Sequence, residues 1–165
     1  MKQIELVFTK SKKKFPVGSL LIRLWTGKEY SHVARKMNIS FLEEANYFQA
    51  DEGKVNWEYE TFFNKKHEIV KSITFTCTTE EFINFNRLCW EQVGAKYGFL
   101  QNLGIVLVDI ARFFGFKICN PWKKGMNCSE VLYRTIIVPK FGNLGYNPDT
   151  IKPHEIEDIL EKHNG

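Results

Sequence analysis

Asn127, Cys128, Ser129 and Glu130 bring together the parts that an activated thiol needs. Asn is a preferred helix N-cap and Glu three positions later is its reciprocal partner, so this tetrapeptide predicts a helix opening at Cys128. A thiol in the first turn faces the positive end of the helix dipole and N–H groups without intrahelical acceptors, both of which favour the thiolate. The same N–H groups suit the oxygen of a tetrahedral adduct. Behind the sulfur, Val131, Leu132, Thr135 and Ile136 offer the helix a face to bury, which would hold the thiol in place. The chain has 4 cysteines, and the other three lack this setting. Cys77 ends an apolar strand, Cys89 lies on an apolar helical stripe, and Cys119 sits in a loop with no base beside it. With no CxxC pairing, all read as reduced thiols.

A nucleophilic thiol needs a base within hydrogen-bond reach and a third group to orient that base. The histidines are His32, His67, His154 and His163. His67 falls in the charged run Lys65-Lys66-His67-Glu68, and His154 and His163 fall on a polar terminal helix, so these three read as surface residues. His32 opens an apolar strand, Ser31-His32-Val33-Ala34, directly after a polar turn. A tight turn about Asn38 with a three-residue loop would make paired positions sum to 76 and set Glu44 opposite His32, about 5 Å away between Cβ atoms. A two-residue loop would put Glu43 there instead, and a one-residue slip reverses the face, so strand geometry alone leaves both open.

The elements that must carry these groups divide the chain into two halves. Ile4 to Thr9, Val17 to Trp25, Ser31 to Met37, Ile39 to Phe48, Val55 to Trp57 and Glu68 to Cys77 read as strands. From Thr78 the pattern becomes helical. Thr78-Thr79-Glu80-Glu81 has the form of a capping box and leads into Phe82, Phe85, Cys89 and Val93, predicting a helix over about 79–93. Further helices are predicted from Gln101 to Phe114, from Cys128 to Ile137, and from Pro153 to Lys162, where Pro153 suits a first turn. The fold class is therefore α+β, with an antiparallel sheet or partial barrel against helices, in a single domain over residues 1–165.

Composition narrows the function classes. The 165 residues suffice for a core without metals or disulfides, and 44% apolar with 25% charged residues is ordinary for a globular chain. Lys and Arg exceed Asp and Glu by 23 to 19, part of the excess being Lys10, Lys12, Lys13 and Lys14. An isolated basic run without a groove or stacking aromatics reads as a solvated loop, so no nucleic acid partner is expected. The residues after Met1 hold no secretory signal pattern, which predicts a cytoplasmic location. The apolar run Leu103 to Phe116 contains Asp109 and Arg112 and is too short for a membrane span. His32 and the cysteines lack the ligand spacing of a zinc site, so neither metal nor cofactor is expected.

The order Gly18-Ser19-Leu20-Leu21, then Ser31-His32-Val33, then Glu44-Ala45, then Asn127-Cys128-Ser129-Glu130-Val131 resembles the permuted branch of the NlpC-type papain-fold superfamily, the YiiX-like proteins and their phage relatives. Lecithin-retinol acyltransferase-like enzymes share this arrangement, in which the His strand precedes the Cys helix. Ile151-Lys152-Pro153-His154-Glu155-Ile156 resembles the Pro-started helix that follows the Cys helix there. Ser19 stands where many relatives carry Asp, and Arg35-Lys36 interrupt a usually more apolar strand. The resemblance implies a permuted papain-like fold with Cys128 as nucleophile, His32 as base and Glu44 as the orienting group. It implies hydrolysis of an amide or peptide bond through a thioester, with peptidoglycan stem peptides the family's commonest substrate. The alternatives are a lipid acyltransferase or thioesterase of the same fold, with Phe113, Phe114 and Phe116 at an acyl site, and a binding module without catalysis.

Overall fold

The computed structural model describes residues 1–13, 17–38, 42–51, 53–119 and 125–163. Five strands form one antiparallel sheet: β1 (Lys2–Ser11), β2 (His32–Met37), β3 (Asn46–Asp51), β4 (Lys54–Tyr59) and β5 (His67–Cys77), in the order β4-β3-β2-β1-β5. The α+β class and the antiparallel sheet expected from the sequence are both present.

Alternation along the strands sends two sets of side chains to opposite faces. Ile4, Leu6, Phe8, Val33, Phe48, Ala50 and Phe75 enter the main core. Val7, Ala34, Ala45 and Tyr47 form a smaller cluster with Phe63, which comes from α2 (Glu60–Lys66), a short helix absent from the sequence reading.

The main core is closed by helices from the second half. In α3 (Thr79–Gln92) the capping box is present: Thr78 accepts from Glu81 N–H while the Glu81 carboxylate accepts from Thr78 N–H, and Phe85 and Cys89 point inward. Next come α4 (Phe99–Phe113), α5 (Cys128–Leu132), α6 (Val138–Phe141) and α7 (Pro153–His163). Between α5 and α6 the chain widens into a π-helical turn, Tyr133–Ile137. Pro139 has no N–H to offer the preceding turn, and the Thr135 hydroxyl donates to the Val131 carbonyl at 2.7 Å, two departures from the regular ladder that suit a wider turn.

Two expectations are corrected here. Val17 to Trp25 is a helix, α1 (Val17–Thr26), and not a strand. Leu20, Leu21, Leu24 and Trp25 recur at helical spacing, and Gly27 ends the helix at φ +67°, its N–H bonded to the Arg23 carbonyl at 2.9 Å. The connection after β2 is also longer than a tight turn at Asn38. The register Arg35–Phe48, Lys36–Tyr47, Met37–Asn46 makes paired positions sum to 83 and not 76, which takes Asn38, Glu43 and Glu44 out of the strand pairing. The part of the expected strand over residues 39–41 lies outside the described residues, as does Lys14 of the basic run.

Among the described residues, no helix is long and apolar enough to cross a membrane.

Candidate functional site

Cys128 begins α5, as its cap predicts: Asn127 Oδ1 accepts the Glu130 N–H at 2.8 Å. The segment just before it is gripped by backbone. Met126 N–H donates to the Lys96 carbonyl at 2.8 Å, and Gly98 N–H donates to the Met126 carbonyl at 3.0 Å. Gly125 makes this approach possible. It sits at φ +110°, and a Cβ there would lie 2.6 Å from Gly98 N.

Cys128 and His32 are brought together from residues 96 positions apart in sequence, and both are buried. The Cys128 thiol and the His32 ring are close enough to shift each other's titration, and the Val33 backbone N–H also favours the thiolate. Ser129 Oγ lies 4.0 Å from the sulfur. Burial alone would hold both groups neutral, yet their mutual attraction outweighs it. Burial raises the Cys128 pKa, but the His32 charge and hydrogen bond, with the Val33 N–H, bring it below the ordinary thiol value. Burial likewise lowers that of His32, but the Cys128 charge and the bonds to Cys128 and Gln49 raise it to about 9. Both shifts favour a thiolate beside an imidazolium.

Glu44 does not join them. Its carboxylate accepts from the Thr61 N–H at 2.8 Å and from the Thr61 hydroxyl at 2.6 Å, and the Thr61 bonds lower its pKa. Glu43 is exposed in the same connection. The expectation of Glu44 or Glu43 beside His32 is therefore corrected: with Met37 paired to Asn46, both fall in the connection before β3 and not on the strand pair. One step beyond the Arg35–Phe48 pair, Gln49 falls on the face that Ala34 shares with His32. Gln49 Oε1 lies 2.9 Å from His32 Nε2. Gln49 is held in turn, its amide donating to Glu58 Oε2 at 2.8 Å, while Lys66 Nζ donates to Glu58 Oε1 at 2.7 Å.

His67 also differs from expectation, being buried where the charged run suggested a surface position. Its ring stacks on His32 at 4.8 Å between centroids and on Phe63 at 4.7 Å. Nε2 faces Asp51 Oδ2 at 3.2 Å, and Nδ1 faces Thr9 Oγ1 at 3.4 Å. Burial lowers the His67 pKa more than Asp51 raises it, and the His32 charge lowers it further.

A narrow pocket opens beside the sulfur. Ile22 and Trp25 of α1, Ile105 and Val106 of α4, Ile151 before α7 and Pro153 at its start give it apolar walls, and Ser31, Asn127 and Lys152 also line it. Ser31 Oγ is 2.5 Å from Ser19 Oγ. Asn127 Nδ2 is buried without a hydrogen-bond partner.

The remaining cysteines have different surroundings. Burial raises the pKa of Cys77 and Cys89, and Cys119 is exposed. Among the described residues, no three His, Cys, Asp or Glu side chains are grouped to hold a metal ion.

No protein-family model matches this chain, and no curated protein matches it.

Proposed function

We propose that this chain is a cysteine hydrolase with a permuted papain-like fold, cleaving an amide or peptide bond through a thioester. The observation that carries the reading is the burial of Cys128 and His32 together, each moving the other's pKa, with Cys128 at the start of a capped helix. Cys128 Sγ attacks the carbonyl carbon, the C–S bond forms, and the oxygen takes up the negative charge near the first-turn N–H groups and Asn127 Nδ2. His32 gives its proton to the leaving amine as the C–N bond breaks. Water then attacks the thioester and gives a proton to His32, and breaking of the C–S bond restores the thiolate. Gln49 holds the imidazole ring through Nε2 and acts as a positioning residue. A peptide of peptidoglycan is one substrate of the right class.

The apolar pocket walls favour a second reading, an acyltransferase or thioesterase, in which the same steps act on a lipid ester or thioester. A panel of small amide, ester and thioester substrates tests both. Cys128→Ala and His32→Ala should each remove most turnover, and the double variant should lose little more, because members of one catalytic unit are not additive. A rate retained by Cys128→Ala would overturn the reading. A ligand that binds wild type and Cys128→Ala equally and is never turned over would point to a binding module.

A further inference from the structure

His67 is buried against the ring of His32, yet the hydrolytic steps make no use of it. Its place follows from the sheet. Thr9 pairs with His32 across β1 and β2, and Ser11, two residues on, pairs with His67 of β5, so Thr9, His32 and His67 share one face. Gln49 and Asp51, also two residues apart, lie on that face from β3. The two imidazole rings lean together over Thr9, 4.8 Å apart between centroids and 18° from parallel. Asp51 Oδ2 lies 3.2 Å from His67 Nε2, although two strands separate β3 from β5 in the sheet. With Thr9 Oγ1 3.4 Å from Nδ1 and Phe63 stacked on the ring as well, the plane of His67 is fixed.

Packing does not require this arrangement. Beside it on the same face, Val7, Ala34 and Tyr47 meet Phe63 as an apolar cluster. Two ionisable rings in contact are a costly substitute for such packing unless an acid offsets their charge. Gln49 holds His32 with an amide, which has no charge to set against an imidazolium. Asp51 has one, and its carboxylate favours the charged form of His32. That support matters most as the thiolate attacks, because its charge moves to the substrate oxygen and leaves a buried imidazolium without its nearest counter-charge. The charged groups around the stack are Asp51 from β3, Glu58 from β4 with Lys66 of α2 beside it, and Cys128 from α5, while β1 offers the uncharged Thr9.

We propose that His67 and Asp51 are positioning residues for His32, the His67 ring fixing the plane of the imidazole and the Asp51 carboxylate supplying the negative charge that Gln49 lacks. The assignment deepens the hydrolase reading and rests on it for what the Cys128–His32 pair does.

The titration of His32 in the full chain, followed by NMR of its imidazole nitrogens, tests the proposal. In a Cys128→Ala background, Asp51→Asn should lower the His32 pKa by about 0.5 or more, since it keeps a hydrogen-bond partner for His67 and removes only the charge. Glu44→Gln, which removes an acid held by Thr61, is the control and should leave that titration where it is. With Cys128 present, the loss of turnover at high pH should move down with the His32 pKa in Asp51→Asn. His67→Ala should slow labelling of Cys128 by iodoacetamide about tenfold at neutral pH, and His67→Phe, which returns a flat ring to the stack, should recover part of that rate. Melting temperatures show which variants keep the fold, and the nearly isosteric Asp51→Asn decides the matter if His67→Ala does not. A His32 titration unchanged by Asp51→Asn, or a folded His67→Phe that labels no faster than His67→Ala, would overturn the proposal. A wild type that turns over no substrate and whose Cys128 labels as an ordinary thiol would overturn the hydrolase reading instead, while the titration in Cys128→Ala, which involves no thiol, still judges Asp51.

Discussion

Gln49 reaches across from β3 to place Oε1 2.9 Å from Nε2 of His32, on a strand that begins 17 residues earlier in sequence. An amide oxygen accepts the Nε2 proton but carries no charge. It therefore fixes the ring without drawing the proton from the sulfur side.

Gln49→Ala should lower kcat by about ten- to a hundredfold, less than the 10²–10⁴ of a lost general base, because His32 remains but its ring is free to turn. Melting temperature should fall only slightly. Glu44→Ala should leave kcat within about twofold, since that carboxylate serves Thr61. Steady-state kinetics on both variants checks the assignment, and the reverse ranking would restore Glu44.

Reactivity of Cys128 should follow the ion pair. Its pKa is lowered, so carbamidomethylation by iodoacetamide should persist to lower pH than for an ordinary thiol and fall in acid. Turnover should fall again as pH rises through about 9, where His32 loses the proton it gives to the leaving group. Both limbs belong to the coupled pair rather than to either residue alone. Peptide mapping after timed labelling should find Cys128 modified before Cys77 and Cys89, whose pKa values burial raises.

What could be read from the sequence was local chemistry. The caps at Thr78 and Asn127 are short-range hydrogen-bond patterns, and both helices start where those residues place them. Val17 to Trp25 satisfies strand and helix patterns alike because nearly every position is apolar, and Gly27, which marks the helix end, lies beyond the run. Gln49 was hidden for a different reason. Its place beside His32 depends on the length of the link between β2 and β3, and a change of register moves every partner at once. His67 looked exposed because its sequence neighbours are charged. Those neighbours, Lys65 and Lys66, lie on α2, while His67 starts β5 and turns inward under Phe63.

Gly125→Ala should reduce activity more than it reduces overall stability. The new Cβ would meet the backbone of residues 96–98 and force Met126 away from Lys96 and Gly98, displacing the residue two before Cys128. A loss of tenfold or more in kcat is expected from such a shift in the nucleophile. The melting temperature measured beside it separates displacement from unfolding.

The last prediction concerns α7, which helps to hold the core over β5. Glu157 on α7 is buried, and its carboxylate accepts from the Tyr30 hydroxyl, from Lys28 Nζ at 2.6 Å and from Lys71 Nζ at 2.6 Å. Burial alone would raise its pKa, but these three donors outweigh it and bring the value to about 2. The folded value thus lies below that of the unfolded chain, near 4.5. The carboxylate's contribution is therefore complete above about pH 4.5 and is lost as pH falls through 2, with a size of about 3 kcal/mol. Urea unfolding of wild type should show that loss across the acid range. Glu157→Gln should lower stability at neutral pH by about 2 kcal/mol, leaving two lysines without their acid, and should flatten the acid dependence. Because Glu157 lies outside the Cys128–His32 pair, the thiol's labelling rate at neutral pH should be preserved while the fold holds. A variant whose stability still fell as steeply in acid as the wild type's would assign the acid sensitivity to other carboxylates.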